Sequence, residues 1–237
     1  APAAAGRGTV DETFEAVLAE HPRYRPRALH RDPWIIQLED FLQPWEADSL
    51  VKHAGSGLTR SLAADMVTEE RTSSQAWCSS EECLSDGVVQ AVWSRIANLT
   101  RVPRQNAEHL QLLRYEPGQA YNEHHDQNSH RLAAWGPRLY TFFMYLSDVE
   151  EGGETSFPRQ NVTVSPRKGR ALLWPSVRSD DPFLTDGRTL HKAIGVRKGV
   201  KYAANFWLHM YDFQGPLYRG CHQTQYFQDY ILDEIWP

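Results

Sequence analysis

The sequence is poor in the features that mark several classes of protein. Its three cysteines are too few for a disulfide scaffold. Cys78 and Cys83 are close enough in sequence for a short bridge, but two reduced thiols fit equally well, and Cys221 is left over. No apolar run approaches the roughly 18 residues that span a bilayer, and the first eight residues lack the regions of a signal peptide. The net charge of −5 offers no basic field for phosphate backbones, so we expect no nucleic-acid partner.

The composition is that of a folded globular protein. The 237 residues include 41% hydrophobic residues, eight tryptophans and ten tyrosines, which is enough for one large domain with a core. We expect an N-terminal helix and a Pro/Arg-rich connector at 1–33, a single main domain at 34–212 and a C-terminal extension of unknown role at 213–237.

Hydrophobic periodicity predicts helices first and strands later. Helical spacing and capping signals predict helices at Asp11–His21, Pro44–His53 and Asp86–Thr100. An early strand is expected at Trp34–Leu38, and after Pro103 the period becomes two, which predicts strands at His109–Tyr115, Leu139–Leu146, Asn161–Val164, Arg170–Trp174 and Lys201–Tyr211. Short strands at this spacing favour a sandwich or jelly roll whose outer face the helices cover. The stretches 59–85, 127–137 and 176–189 show no strand pattern and are candidates for a substrate lid.

A metal site is indicated by His124-x-Asp126. In an extended segment this spacing puts two metal-binding groups on one side of the chain. A third ligand, for which we choose His191, would complete the two imidazoles and one carboxylate of non-haem iron(II) oxygenases. His125 should point the opposite way, so we do not expect it to be a ligand. Taken alone, the short motif is common in random sequence.

Lys201 strengthens this interpretation. It lies ten residues after His191, at the start of an apolar strand. A lysine that faces the interior of a jelly roll needs a buried anionic partner, which a dicarboxylate would supply. A solvated lysine that merely precedes the strand is the competing interpretation.

The ordered motifs over about residues 34–212 resemble those of the prolyl 4-hydroxylase family of iron(II)- and 2-oxoglutarate-dependent dioxygenases. They are Arg71-Thr72-Ser73, Leu110-Gln111, Tyr115-x-x-Gly118-Gln119-x-Tyr121-x-x-His124-x-Asp126, Arg138-x-x-Thr141-x-x-x-Tyr145 through Gly152-Gly153-Glu154-Thr155-x-Phe157-Pro158, Lys168-Gly169, Trp174, His191 and Lys201-x-x-x-Asn205-x-Trp207. The resemblance implies a mainly β fold with flanking helices (α+β), in which N-terminal helices support a double-stranded β-helix, the cupin-like jelly roll.

The resemblance also implies roles for single residues. His124, Asp126 and His191 would hold Fe(II), and Lys201 would bind the distal carboxylate of 2-oxoglutarate with help from the hydroxyls of Tyr115 and Thr155. Dioxygen would be the second co-substrate and ascorbate the reductant. Residues that would line the substrate groove are Tyr121, Arg138, Trp207, His209 and Glu108.

The resemblance implies that the substrate is peptidyl proline in proline-rich proteins, converted to 4-hydroxyproline with release of succinate and CO2. Two departures from the family pattern put this substrate in doubt. The segment Gln127–Pro137 is shorter than in many relatives, and Tyr140 stands where a small residue is common before the threonine. Both lie near the presumed entrance of the site. The alternatives are a hydroxylase of a free amino acid or other small molecule, and a catalytically silent jelly roll that binds metal or peptide. By analogy with hydroxylases of secreted proteins, we expect the secretory pathway, in the endoplasmic reticulum or Golgi lumen.

Overall fold

The computed structural model describes residues 2–55, 57–61, 69–129 and 133–220. The helices within these ranges are α1 (Thr9–Glu20), α2 (Pro44–Ala54), α3 (Glu81–Ser85), α4 (Gly87–Thr100) and α5 (Gln214–Tyr218). The strands are β1 (Pro26–Arg31), β2 (Trp34–Leu38), β3 (Thr59–Arg60), β4 (Ser74–Trp77), β5 (Gln111–Tyr115), β6 (Tyr121–His124), β7 (Arg138–Tyr145), β8 (Glu151–Gly152), β9 (Thr155–Phe157), β10 (Val162–Val164), β11 (Ala171–Pro175), β12 (His191–Ala193), β13 (Val196–Lys198) and β14 (Lys201–His209).

Two antiparallel sheets of unequal size form the body of the protein. In the described residues, the larger sheet has the order β1-β2-β11-β7-β14-β5-β4-β3, and the smaller sheet has the order β10-β9-β12-β6. Strands β8 and β13 form a separate pair. The predicted jelly-roll core with supporting helices is confirmed.

The central strands of the larger sheet divide the core into two layers. Phe142 on β7 belongs to an outer cluster that includes residues of the helices, whereas its neighbour Phe143 belongs to an inner cluster. Leu112 and Leu113 on β5 divide in the same way. Successive side chains of a strand point to opposite faces, so strands buried on both faces read as continuous apolar runs. The inner layer positions the site.

The predicted helices are confirmed as α1, α2 and α4. In α4, the carboxylate of Asp86 accepts hydrogen bonds from the backbone N–H groups of Val88 (2.7 Å) and Val89 (3.1 Å), which caps the helix. The apolar stripe of α4 then lies in the outer cluster, with Trp93 edge-on to Phe206 of β14 at 5.6 Å.

Several of the described strands lie outside those that the sequence predicts, and β1 and β4 of the larger sheet are two of them. Residues 26–31, expected in a connector, form β1, which ends the larger sheet and pairs with β2. A strand at the edge of a sheet tolerates proline and charged residues. These residues interrupt the alternation of apolar and polar positions in β1, so the sequence did not indicate a strand there. Residues 74–77, inside the expected loop 59–85, form β4, paired with β5. The polar Gln75 lies on the inner face of this strand, two residues before Trp77, so the sequence shows no run of alternating apolar residues.

Cys78 and Cys83 form a disulfide with a Cα–Cα distance of 5.4 Å, which settles the choice that the sequence leaves open. Cys221 and the remainder of the C-terminal extension lie outside the described residues. Among the helices that the structure describes, none has the length and apolar character needed to cross a membrane.

Candidate active site

Three side chains that can bind a metal converge between the two sheets. Strands β6 and β12 are neighbours in the smaller sheet, and their register pairs His124 with His191. Asp126 follows two residues after His124. The possible ligand atoms of the three residues all lie within 4.8 Å of one another. The carboxylate oxygens of Asp126 lie 3.8 Å from Nε2 of His124 and 3.6 Å from Nε2 of His191.

Both imidazoles are oriented by backbone carbonyl groups. Nδ1 of His124 lies 2.8 Å from the carbonyl oxygen of Asn122, and Nδ1 of His191 lies 3.1 Å from that of Thr189. A carbonyl oxygen only accepts hydrogen bonds, so each Nδ1 carries the proton and donates it. Each Nε2 is therefore unprotonated and turned towards Asp126, as a metal ligand requires. Burial and the neighbouring His191 hold the pKa of His124 well below its ordinary value, which favours the neutral ligand form.

The carboxylate of Asp126 is held ionised and in place. Burial opposes its charge, but the two histidines, Thr141 and Arg138 outweigh burial and lower the pKa of Asp126 to about 2. The hydroxyl of Thr141 donates to Oδ2 of Asp126 at 2.7 Å. Arg138 donates to the backbone carbonyl of the same residue at 2.9 Å.

Lys201 is a buried cation on the inner face of β14. Its side chain is almost fully buried, and its Nζ atom has no hydrogen-bond partner among the described residues. Burial lowers the pKa of Lys201 to about 7, with a partial opposing effect from Glu154. The rings of Tyr115, Phe143 and Tyr145 surround the ammonium group with centroids 5.1 to 5.4 Å away. Such a group calls for an anionic ligand.

Hydroxyl groups lie beside this lysine. The hydroxyl of Tyr145 lies 2.7 Å from Oγ1 of Thr155 and 3.1 Å from the carbonyl oxygen of Val164. A carbonyl oxygen only accepts, so Tyr145 donates its one proton to Val164 and accepts a hydrogen bond from Thr155. Tyr115 pairs directly with Lys201 in the register of β5 and β14. Burial raises the pKa of Tyr115, so its phenol stays a neutral donor.

These groups fit the cofactors of an iron oxygenase. Two neutral imidazoles and one carboxylate are the ligand set of non-haem iron(II), and they leave further coordination positions for other ligands. The buried ammonium of Lys201 matches the distal carboxylate of 2-oxoglutarate. His124, Asp126 and His191 would therefore hold Fe(II), and Lys201 with Thr155 and Tyr115 would hold the 2-oxo acid.

Comparisons with known proteins agree with this geometry. Residues 110–209 match the 2OG-Fe(II) oxygenase superfamily. Prolyl 4-hydroxylase 1 of Arabidopsis thaliana is 35% identical over 214 residues, which cover 82% of this chain and 75% of the relative. Probable prolyl 4-hydroxylase 7 of the same plant is also 35% identical, over 77% of this chain and 64% of its own length. The crystal structure of a viral collagen prolyl hydroxylase from Paramecium bursaria Chlorella virus-1, a 2-oxoglutarate complex, matches with a TM-score of 0.58 and 26% identity over 74% of this chain and 95% of that chain.

The chain belongs to the prolyl 4-hydroxylase family. It is a 2-oxoglutarate-dependent dioxygenase, and its cofactors are Fe(II) and 2-oxoglutarate.

The residues predicted to line the substrate groove of this family member lie in two places. The ring of Tyr121 stacks on that of His124, with centroids 3.5 Å apart, so it borders the metal centre directly. The guanidinium of Arg138 lies over the ring of Trp207, 3.9 Å from the centroid, and Trp207 is nearly buried. Their part in substrate binding stays a prediction.

Glu108 and His209 form a buried ionic cluster with Arg138. Oε1 of Glu108 accepts hydrogen bonds from Arg138 at 2.6 Å and from His209 at 2.8 Å. Burial opposes the charge of Glu108, but Arg138 and His209 outweigh burial and lower its pKa to about 2. Because Arg138 also donates to the backbone of Asp126, this cluster braces the metal centre of the dioxygenase.

Two supporting residues had no role in the sequence prediction. Thr141 positions the carboxylate of Asp126, and Tyr145 positions the hydroxyl of Thr155. Both belong to the quoted motifs, and the period of two along β7 places them on the same inner face, so alternation together with the motif could have found them.

His125 points away from the metal, as predicted, and supports the segment before His191. The backbone N–H of Gln127 donates to Nδ1 of His125, so Nε2 carries the proton. Nε2 then donates to the carbonyl oxygen of Asp186 at 3.0 Å. This bond ties the chain after β6 to the turn that leads into β12.

The expectation for Tyr140 is wrong. Its side chain is 1% exposed and belongs to the outer core, where it meets Phe14 of α1 edge-on at 5.5 Å. Since Thr141 faces inwards to Asp126, its neighbour on the strand must face outwards. The bulk of Tyr140 therefore does not narrow the site. The second departure, the short segment 127–137, lies partly outside the described residues.

Proposed function

We propose that this dioxygenase hydroxylates peptidyl proline to 4-hydroxyproline in proline-rich proteins and releases succinate and CO2. The observation that carries the proposal is the buried ammonium of Lys201 on the same inner layer as the His124–Asp126–His191 centre. The names of the relatives support the substrate class.

Different residues of the chain would bind the 2-oxo acid and exclude water from the site. Lys201 binds and orients the 2-oxo acid, while Thr155 and Tyr115 place hydroxyl groups beside it. The rings of Phe157 and Trp174 lie 5.5 and 4.8 Å from the ring of His191 and exclude water from that side. When bound, Fe(II) and 2-oxoglutarate supply the oxidation, in which dioxygen gives one oxygen atom to succinate and one to the substrate.

A proline-rich chain suits this site for a physical reason. Proline favours the left-handed extended helix, so little entropy is lost when such a chain binds an aromatic-lined groove. Tyr121 and Trp207 supply aromatic surface next to the metal centre. A free amino acid would use little of this surface.

We also propose a location in the secretory pathway. The Cys78–Cys83 disulfide supports it, because structural disulfides persist mainly in oxidising compartments.

The test is succinate formation by purified protein with iron(II), ascorbate and 2-oxoglutarate, with and without a proline-rich peptide. We expect succinate that the peptide stimulates and a peptide mass gain of one oxygen atom, both lost in His124→Ala. Stimulation by free proline instead of the peptide would favour the small-molecule hydroxylase. No turnover with any substrate would favour the silent binding protein.

A further inference from the structure

Trp77 and Trp207 form a continuous aromatic wall that runs from the interior of the protein to its surface. Their ring centroids lie 6.0 Å apart. Trp207 is 5% exposed, whereas Trp77 is 41% exposed. The wall therefore begins inside the site and emerges at Trp77, the last residue of β4.

The register of the larger sheet puts Trp77 on the side of the active site. Trp77 pairs with Gln111 of β5, and Gln111 pairs with Asn205 of β14. Paired residues of neighbouring strands point to the same face of a sheet. Asn205 and Lys201 are four residues apart on β14, so both point to that inner face.

A chain of short contacts links Trp77 to the metal ligands. Arg138 donates to the backbone carbonyl of Asp126 at 2.9 Å, and its guanidinium lies 3.9 Å from the ring centroid of Trp207. Trp77 is the next ring outwards. The indole N–H of Trp207 has no hydrogen-bond partner in the part of the chain that the structure describes, so the wall offers a buried donor as well as ring surface.

Trp77 is anchored more firmly than an ordinary exposed side chain at a strand end. The next residue, Cys78, is bonded to Cys83 and donates its backbone N–H to the carbonyl oxygen of Leu110 at 2.9 Å. The N–H of Ser79 donates to the carbonyl oxygen of Trp77 at 2.9 Å. Such preorganisation lowers the entropy that a ligand loses when it binds.

Exposure of a tryptophan does not by itself indicate a binding role, as Trp45 shows. It is 62% exposed in the first turn of α2, a helix whose buried residues belong to the outer core on the far side of the larger sheet. Single exposed aromatic residues are common and need no function. Of these two exposed tryptophans, Trp77 alone has its ring beside that of Trp207.

We propose that Trp77 is a specificity-determining residue that binds the peptide substrate outside the catalytic centre, at a residue that flanks the reacting proline. This inference rests on the proposed function, because it takes the occupant to be a proline-rich chain. The left-handed extended helix rises about 3.1 Å per residue, so the 6.0 Å between the rings corresponds to about two residues. Trp77 would thus contact a peptide residue about two positions away from the peptide residue at Trp207. That residue would lie on only one side of the reacting proline, either towards the amino end or towards the carboxyl end of the peptide.

The test measures peptide affinity, not turnover. Zn(II), which has no redox chemistry, replaces iron, and calorimetry follows the binding of two peptide series. Each series keeps one central proline segment and adds one to four 4-hydroxyproline residues, either at the amino end or at the carboxyl end. We expect one series to gain about tenfold in affinity near the second added residue. Trp77→Ala should abolish this gain, and Trp77→Phe should keep most of it.

Trp45→Ala is the matched control, because it removes an exposed tryptophan from the outer layer and should bind like the unmodified protein. Circular dichroism and the melting temperature check that each variant is folded. If Trp77→Ala keeps the gain while the peptide is still hydroxylated by the iron-loaded enzyme, the inference fails and the proposed function stands. If Trp77→Ala abolishes the gain in a peptide that is bound but never hydroxylated, the inference stands and the proposed function fails. If no peptide binds, both fail.

Discussion

Lys201 has surroundings that are unfavourable for a charged group. Three aromatic rings enclose its ammonium group, and burial lowers its pKa to about 7. A charge in such a position costs stability in the absence of a partner. The free protein therefore carries a local instability that the carboxylate of a bound 2-oxo acid would relieve.

Lys201→Met should make the ligand-free protein more stable and remove 2-oxoglutarate binding. The unfolded chain binds more protons than the folded one between pH 7 and 10.5, because the pKa of Lys201 is lowered from 10.5 to about 7 on folding. The free energy of unfolding should thus rise with pH across this window in the unmodified protein, and this rise should be smaller in the variant. Urea unfolding at several pH values measures it.

The affinity for 2-oxoglutarate should fall at least about 30-fold in Lys201→Met, because the partner of a buried charge is lost. Lys198→Met is the matched control, since Lys198 is an exposed residue that pairs with Glu150 at the surface. Equal affinity in the two variants would contradict the role of Lys201.

Thr141→Val should weaken metal binding without removing a ligand. The substitution keeps the shape of the side chain but deletes the 2.7 Å hydrogen bond to Asp126, and partners that orient metal ligands typically contribute about 10- to 100-fold in affinity. Competition with a chelating dye for Co(II) measures the loss. Thr100→Val is the control, because Thr100 is equally buried but donates to the carbonyl oxygen of Ile96 within α4. The prediction fails if both variants bind Co(II) alike.

At the scale of elements, α1 and β1 are integrated with the larger sheet. Phe14 of α1 is fully buried and stacks on Trp34 of β2 at 5.9 Å. The indole N–H of Trp34 donates to Asp11 of the same helix at 2.7 Å. These contacts join residues on both sides of the predicted boundary at residue 34.

Phe14→Ala should therefore destabilise the whole protein, by about 3–5 kcal/mol as is usual for a buried phenylalanine. Unfolding should remain one transition when it is followed both by circular dichroism and by tryptophan fluorescence. Leu184→Ala, at a position that is 37% exposed, should cost less than about 1 kcal/mol. A separate early transition in Phe14→Ala would show instead that residues 1–33 unfold independently.

At the scale of the whole molecule, the site couples stability to its ligands. The residues that would bind the metal come from β6, β12 and the segment between β6 and β7, and Lys201 comes from β14. A ligand that binds the folded protein but not the unfolded chain stabilises all of these elements together.

The melting temperature should rise with Co(II) and rise again when 2-oxoglutarate is added. At a ligand concentration of a hundred times Kd the stabilisation is about 2.7 kcal/mol, which corresponds to about 5–10 °C for a chain of this size. In Lys201→Met the metal-dependent rise should persist and the second rise should disappear. Differential scanning calorimetry measures both, and an unchanged second rise in the variant would contradict the assignment.

The sequence alone was sufficient to predict the jelly roll, three helices, the His124–Asp126–His191 group and the inward-facing position of Lys201. Helices and apolar strands leave periodic signals within 5 to 15 residues, because burial selects side chains at the repeat of the backbone. The ligand motif is equally local for His124 and Asp126. His191 and Lys201 became specific only when they were combined in order with the other motifs.

Tertiary structure alone decided which residues meet across the sheets. Segments β1 and β4 are strands because they pair with β2 and β5. Their polar and proline-containing sequences give no pattern from which this pairing could be predicted. The outward direction of Tyr140 and the ionic cluster around Glu108 depend on contacts between distant parts of the chain. The aromatic wall from Trp207 to Trp77 has the same origin, since its two rings are 130 positions apart in the sequence and become neighbours only through the register of β4, β5 and β14.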